Sequence, residues 1–277
     1  MQKPTAGAAD LNSSYQLADD DRASFSRDGF VHLPGVLDEG VVDLYEPEIT
    51  SKVIELNTEH LPLEERSTYA KAFLQVMNLW RHSEVVREFV FSRRLARIAA
   101  ELLGVRAVRL YHDQALYKEG GGGITPWHVD AYYWPLSSPL TCTAWVPLQD
   151  TPLEMGPLIF AAGTHRNQPE MGLAIGDRSQ EYYTAWVADQ GVRVVEEPFN
   201  LGDVSFHTGW ILHRAGVNRT STPRRVMTII YMDADMVVQE PTNDDQNEDL
   251  ELCLPDLRPG ELAASPLNPV LFDSDAG

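Results

Sequence analysis

Two short stretches carry side chains that could do chemistry together. "TPWHVDAYYW" (125–134) sets His128 and Asp130 two positions apart among aromatic residues, and "GDVSFHTGWILHRAGVNRTSTPRR" (202–225) offers His207, His213 and the pair Arg224-Arg225. Side chains on a β-strand alternate faces, so positions 128 and 130 project to one side about 6.5 Å apart, and both could meet one ion. Alone, His-x-Asp is a weak signal, because a chain with eight histidines and 41 acids meets that spacing by chance. A further histidine on a separate strand and a distant arginine sharpen it. Two imidazoles and one carboxylate on one face of a metal, with open positions opposite, are the donor set of non-haem Fe(II) oxygenases. Three open positions would admit a bidentate 2-oxo acid and dioxygen, and a planar guanidinium would clamp the far carboxylate of that acid. On residue types alone, His207 and His213 both stand as the third ligand.

Such a group needs strands from different parts of the chain to converge. From Val105 onward the sequence breaks into short β-rich runs at 105–118, 126–134, 141–149, 157–161, 193–196, 203–208 and 225–233. No long helical pattern separates them, so they suit an antiparallel barrel or jelly roll rather than a βαβ sheet. Upstream, "DDDRASFSRDGF" (19–30) reads as a short capped helix with Phe25 and Phe30 packing inward, and "FVHLPGVL" (30–37) as a strand stopped by Pro34-Gly35. Helical spacing returns over 38–58, and 83–104 reads as one amphipathic helix closed by Gly104. The fold class expected is therefore mainly β with helical support: a β-core braced by N-terminal helices. Residues 1–18 read as a disordered N-terminus, 19–265 as one domain with 235–265 an acidic loop or insertion, and 266–277 as a tail.

Composition excludes several classes. Forty-one acids against 22 Lys and Arg give a formal charge of −19, which repels a phosphate backbone and argues against a nucleic-acid partner. The acids crowd into "ADDD" (18–21), "NDDQNEDLE" (243–251) and "DSDAG" (273–277), read here as solvated surface. No apolar run approaches the roughly 18 residues of a membrane span, and the start lacks the basic-then-apolar pattern of a secretory signal. Cys142 and Cys253 form neither a disulfide framework nor a zinc signature, which favours a reducing cytoplasm.

Four stretches in order, "SRDGFVHLPGVL" (26–37), "WHVDAYYWPLS" (127–137), "TAWVPLQDTPLEMGPLIFAAGTHR" (143–166) and "LHRAGVNRTSTPRR" (212–225), resemble the phytanoyl-CoA dioxygenase-like family of Fe(II)/2-oxoglutarate oxygenases. The resemblance covers roughly residues 20–235. It implies a double-stranded β-helix, the jelly-roll or cupin-like core, with Fe(II) as metal and 2-oxoglutarate and O2 as co-substrates. Carried over residue by residue, it implies that His128, Asp130 and His213 are the iron ligands. Arg224, eleven residues past His213, would hold the C5 carboxylate of 2-oxoglutarate, with Arg225 turned to the other face. Gln114 and Trp145 match positions lining the co-substrate pocket. The family usually writes His-Gly-Ser-Gly at the third ligand; Arg214 replaces that glycine and would alter the pocket mouth. Asp130 is an acid where halogenating relatives carry a small residue, so the resemblance implies oxygenation.

The substrate side is read from aromatic residues: Tyr132, on the face of Asp130 if the strand persists, together with Trp134, Phe73 and Trp210. His112 reads as a structural core histidine, and Gly120–Gly123 as a loop able to act as a lid. The expected reaction is hydroxylation of an unactivated C–H bond in a small molecule such as a natural-product intermediate. Desaturation, cyclisation or epimerisation would use the same ligands, as would an acyl-CoA substrate, although lysines and arginines form no phosphate-binding cluster. A non-catalytic cupin-like metal or ligand binder would have no use for Arg224.

Overall fold

A computed structural model describes residues 10–167, 169 and 172–276. The chain enters through α1 (Asp19–Asp28), which ends on left-handed Gly29 and runs straight into β1 (Phe30–Leu33). There follow α2 (Glu39–Leu56), capped by the Asp38 carboxylate on the Gly40 N–H, β2 (Leu74–Met77), α3 (Glu84–Val90) and α4 (Arg93–Leu103). The remainder holds β3 (Ala107–Tyr117), β4 (Thr125–His128), β5 (Thr141–Pro147), β6 (Leu158–Ala161), α5 (Asp177–Asp189), β7 (Val194–Glu196), β8 (Val204–Thr208), β9 (His213–Ala215), β10 (Val226–Asp233), α6 (Asp244–Cys253) and β11 (Val270–Asp273).

These strands form two antiparallel sheets. The larger runs β1-β8-β5-β10-β3-β11 with β2 also paired to β3, and the smaller runs β4-β9-β6-β7. The order joins strands distant in sequence, as a double-stranded β-helix requires. Period-two alternation then gives the larger sheet two different faces. Ala144, Phe206, Ile229 and Leu110 point to one side, where they pack with Tyr45, Ile49, Phe89, Leu95 and Ile98 of the helices in the main core. Burying each such side chain stabilises the fold by about 1.5–3 kcal/mol. Gln114, Thr143, Trp145, His207 and Thr228 point to the other side and line a cavity between the sheets.

Several expected elements come out differently. The strand read over 126–134 stops at His128, and Asp130–Tyr132 is a single 3-10 turn. The helix read over 83–104 is two helices, because the Ser92 hydroxyl accepts the Leu95 N–H and caps a second helix inside the apolar pattern; Gly104 closes it, as expected, at φ 69°. The expected tail contains β11, which pairs along β3. Of the expected disordered N-terminus, residues 1–9 lie outside the described residues, while Leu11 and Leu17 are buried and Asp10 pairs with Arg94 at 2.5 Å. The acidic 235–265 stretch is no plain loop: it carries α6, capped by Asn243 on the Gln246 N–H. The Gly120–Gly123 run is tied down, with N–H groups on Asn218 O, Glu119 O and Lys71 O, which leaves it little freedom as a lid. Among the described residues no helix is long and apolar enough to cross a membrane.

Candidate metal centre and its cavity

β4 and β9 pair so that His128 stands opposite His213, with ring centroids 4.1 Å apart. Each ring is oriented by the chain itself: His128 Nδ1 lies 2.8 Å from Pro126 O and His213 Nδ1 3.0 Å from Ile211 O. A carbonyl can only accept, so both Nδ1 atoms carry the proton and both Nε2 lone pairs face inward. Burial pushes the His213 pKa down to about 3, which keeps that ring neutral and able to ligate. Because the chain turns after His128, Asp130 arrives from the 3-10 turn rather than by strand alternation. That turn is fastened by Ala131 N–H on Gly209 O at 2.9 Å. Gly209 has to be glycine, since a Cβ there would stand 2.3 Å from the Trp134 ring.

Asp130 Oδ1 lies 3.5 Å from His128 Nε2 and 3.6 Å from His213 Nε2, while Oδ2 lies 3.4 Å from both His207 Nε2 and Thr143 Oγ1. Burial works against the charge on this carboxyl, yet His213, His128 and His207 together hold its pKa well below the usual carboxylate range. The ligand atoms of His128, Asp130 and His213 all fall within 4.8 Å of one another. Two imidazole nitrogens and one carboxylate oxygen, converging on the cavity, fit a ferrous ion with open positions on the far side. His207 meets the other carboxylate oxygen and so takes a place behind the group.

Arg224, two residues before β10 on an isolated bridge to Lys118, is 1% exposed and lines the same cavity. It donates to Gly156 O and lies over the Trp145 ring at 5.4 Å, while its Nε has no partner. Among the described residues no carboxylate pairs with it, and burial lowers its pKa to about 9. A buried cation without a counter-ion is costly unless an anion joins it, so the site suits a carboxylate. The approach to Arg224 is fixed by Asn218, whose amide donates to Lys118 O, Glu119 O and Thr222 O. Arg225 points away, to Glu46 at 2.6 Å.

Of the remaining expected residues, Gln114, Trp145, Phe73 and Trp134 line the cavity of about 560 Å³, and Gln114 Oε1 accepts from Gln75 at 2.5 Å. Tyr132 and Trp210 lie outside that lining. Tyr132 is turned aside because the strand that would have carried it ends at His128; Trp210 packs into the cluster around Tyr111 and Trp134. Arg214 does not reach the cavity either, lying outside over the Trp127 ring at 4.9 Å. Sequence reading missed the roof: Asp245, Glu248, Asp249 and Leu252 of α6 face the cavity, as does His112, read as structural, while Tyr69 and Met77 of the weaker candidate segment 69–78 also line it. The spacing 245, 248, 249, 252 is one helical face, but three acids on it read as solvent-facing.

A cavity between the sheets of a double-stranded β-helix, holding two histidines and a carboxylate beside a buried arginine, marks a non-haem iron oxygenase. The chain belongs to the phytanoyl-CoA dioxygenase (PhyH) family, whose model matches residues 25–226, and it is an Fe(II)/2-oxoglutarate-dependent oxygenase. Among solved structures it is similar to the epimerase SnoN from nogalamycin biosynthesis, in complex with Fe3+, alpha ketoglutarate and nogalamycin RO. That likeness has 28% identity and a TM-score of 0.77 over 92% of this chain and 98% of that one. The carbocyclase SnoK from nogalamycin biosynthesis shares the fold at 24% identity and TM-score 0.77, covering 98% and 100%. EctD from S. alaskensis, with 2-oxoglutarate and 5-hydroxyectoine, shares it at 19% and 0.68, covering 85% and 84%. Among curated protein sequences none matches this chain.

Proposed function

We propose that the protein oxidises an unactivated C–H bond of a small molecule, with hydroxylation as the outcome, using Fe(II) held by His128, Asp130 and His213. The observation that carries this reading is Arg224, a buried guanidinium with no carboxylate partner among the described residues, lining the cavity that holds the three candidate ligands. It would pair with the C5 carboxylate of 2-oxoglutarate, over Trp145 and near Gln114. Bound there, iron with 2-oxoglutarate and O2 supplies oxidative decarboxylation to succinate and CO2, coupled to hydrogen removal from the substrate. The chain's own residues do the positioning. Pro126 O and Ile211 O hold the imidazole tautomers. His207 and Thr143 fix the free oxygen of Asp130. The aromatic residues Phe73, Tyr133 and Trp134 keep the substrate side dry.

A second reading is epimerisation, favoured by 28% identity to an epimerase over 92% of the chain. An acyl-CoA substrate is disfavoured by the acids of α6 in the cavity wall. We take the described chain as one catalytic domain that extends past 265 to include β11, and place it in the cytoplasm, which suits its two free, buried cysteines.

The test is to load the protein with Fe(II) and 2-oxoglutarate without oxygen and record the weak visible charge-transfer band of the chelated oxo acid. The band should appear in wild type and vanish in His128→Ala; iron binding without a band would favour a metal binder. With a substrate in hand, label from 18O2 in the product marks hydroxylation, whereas deuterium from solvent at an inverted centre marks epimerisation.

A further inference from the structure

α6 closes the cavity opposite the candidate iron ligands, and its docking is specific. Gln246 Nε2 donates to Tyr132 O at 3.0 Å, tying the helix to the turn that carries Asp130. Its inner face, repeating at three and four residues, presents Asp245, Glu248 and Asp249 to the cavity. Among the described residues no lysine, arginine or histidine forms an ion pair with any of the three. Asp249 is held by the Tyr111 hydroxyl and faces Cys253 Sγ at 3.6 Å. At the other end of the cavity charge is already matched: a ferrous ion and Arg224 offset Asp130 and a doubly charged 2-oxoglutarate. Asp245 and Glu248 are therefore surplus negative charge in a wall shared with Tyr69, Phe73, Met77, Tyr133 and Trp134, while burial pushes the Asp249 carboxyl up to about 7.

A second observation points to a ligand at the same place. His112, on β3, is 4% exposed and lines the cavity, yet among the described residues its Nδ1 has no hydrogen-bond partner. A ligand nitrogen of the ring lies within 4.8 Å of the Asp249 carboxylate and the Cys253 sulfur. Burial pushes its pKa down to about 4, so the ring is neutral and one nitrogen is an acceptor. The carboxylates of Asp245 and Glu248 offer acceptors to whatever enters, and the neutral imidazole adds one acceptor nitrogen beside its single N–H. The complementary group is a donor with positive charge.

We propose that the substrate carries a protonated amine that docks against the inner face of α6, accepted by Asp245, Glu248 and Asp249 with His112, while its rings or chain lie on Phe73, Tyr133 and Trp134. The assignment deepens the oxygenase reading, on which it rests for the charge balance at the iron end. It gives the acidic stretch a role in selection: an amine is held by charge-assisted hydrogen bonds, and a phosphate or carboxylate is turned away.

The test uses daunorubicin, a fluorescent polycyclic glycoside with one primary amine, and its N-acetyl derivative, which keeps the rings and loses the charge. Both are titrated by fluorescence quenching into protein holding Fe(II) and 2-oxoglutarate under anaerobic conditions, after the charge-transfer band has been recorded. The amine should bind about tenfold more tightly than the acetylated form, and Asp245→Asn with Glu248→Gln should bring the two within about twofold. Equal affinities in wild type, no binding of the amine, or a preference that survives in the variant would overturn the proposal. A missing band sinks the oxygenase reading instead, while the amine preference in the same sample still decides this one. Glu248→Gln alone, at an exposed position, serves if the double variant melts early by circular dichroism.

Discussion

The two ends of the cavity are built on opposite plans. At the β4/β9 end, two of the candidate ligands come from paired strands and the third from the 3-10 turn that follows β4, and each of the two rings is pinned by a backbone carbonyl. At the α6 end, a helix in the long connection from β10 to β11 turns acids inward that have no counter-ion among the described residues, and a histidine nitrogen there has no partner among them. The first end is complete once a metal and a dianion arrive, whatever is oxidised. The second is complete only with a particular kind of substrate. The candidate metal ligands sit on and beside the sheets, whereas the acids sit on a helix in the connection from β10 to β11 that is tied to the Asp130 turn through Gln246.

If that division holds, removing a ligand should silence the protein irrespective of substrate. His213→Ala should lose the charge-transfer band and bring succinate formation to background, while His207→Ala should keep the band and weaken iron by about 10–100-fold, the range for a group that orients a ligand. The reverse pattern, measured by iron titration of the two variants, would exchange their roles. Arg224→Ala should bind iron normally but lose about 3–5 kcal/mol of 2-oxoglutarate affinity, the cost of leaving a buried charge unpaired in the complex. In the apoprotein the same change removes an uncompensated buried cation, so its melting temperature should not fall. A fall there, with oxo-acid affinity intact, would make Arg224 structural.

How much of this was readable before the structure follows the same divide. His128, Asp130, His213 and Arg224 stand in short, ordered motifs, and short runs of β-branched and aromatic residues announced the sheets that gather them. The mode of gathering was not readable: a 3-10 turn, set by Gly209 against Trp134, replaces the strand expected at Asp130 and takes Tyr132 out of the cavity. α6 was hidden for a different reason. Its acids have the composition of solvated surface, and only tertiary contact with Tyr132 and Tyr111 shows that one face looks inward. β11 was hidden because four residues near the end of a chain carry no periodicity long enough to register.

The α6 end also has its own pH signature. His112 has a folded pKa of about 4 against an ordinary value near 6.5, so between those values the unfolded chain takes up the proton and the folded one does not. Its contribution is fully present above pH 6.5 and is lost as pH falls towards 4, at most about 3 kcal/mol over the window. Asp113, also fully buried, has its carboxyl pushed by burial up to about 7. It works the other way, its contribution present at low pH and lost as pH rises through 7. Replacing His112 with Phe should therefore flatten the acid limb of stability between pH 6.5 and 4 relative to wild type in denaturant titrations. Parallel curves would mean that the folded ring takes up the proton as readily as the unfolded one by donating to a neighbouring carboxylate, and the α6 end would then have fewer acceptors free for an amine.

The smallest expected effect tests the other half of the comparison. Thr143, in the centre of β5, donates at 3.4 Å to the Asp130 oxygen that faces away from His128 and His213. Valine has nearly the same shape, so Thr143→Val should fold with little loss while removing one long hydrogen bond worth about 1 kcal/mol. If the iron end is pre-oriented by its surroundings, the variant should bind Fe(II) several-fold more weakly and bind 2-oxoglutarate, once iron is in place, as wild type does. That separation matters because Arg224, on the bridge to Lys118 before β10, and Thr143, on β5, would touch different atoms of the complex. A loss shared equally between metal and oxo acid would mean that the sheet moves as a unit when β5 is altered, and the independence of ligand geometry from co-substrate binding would fail.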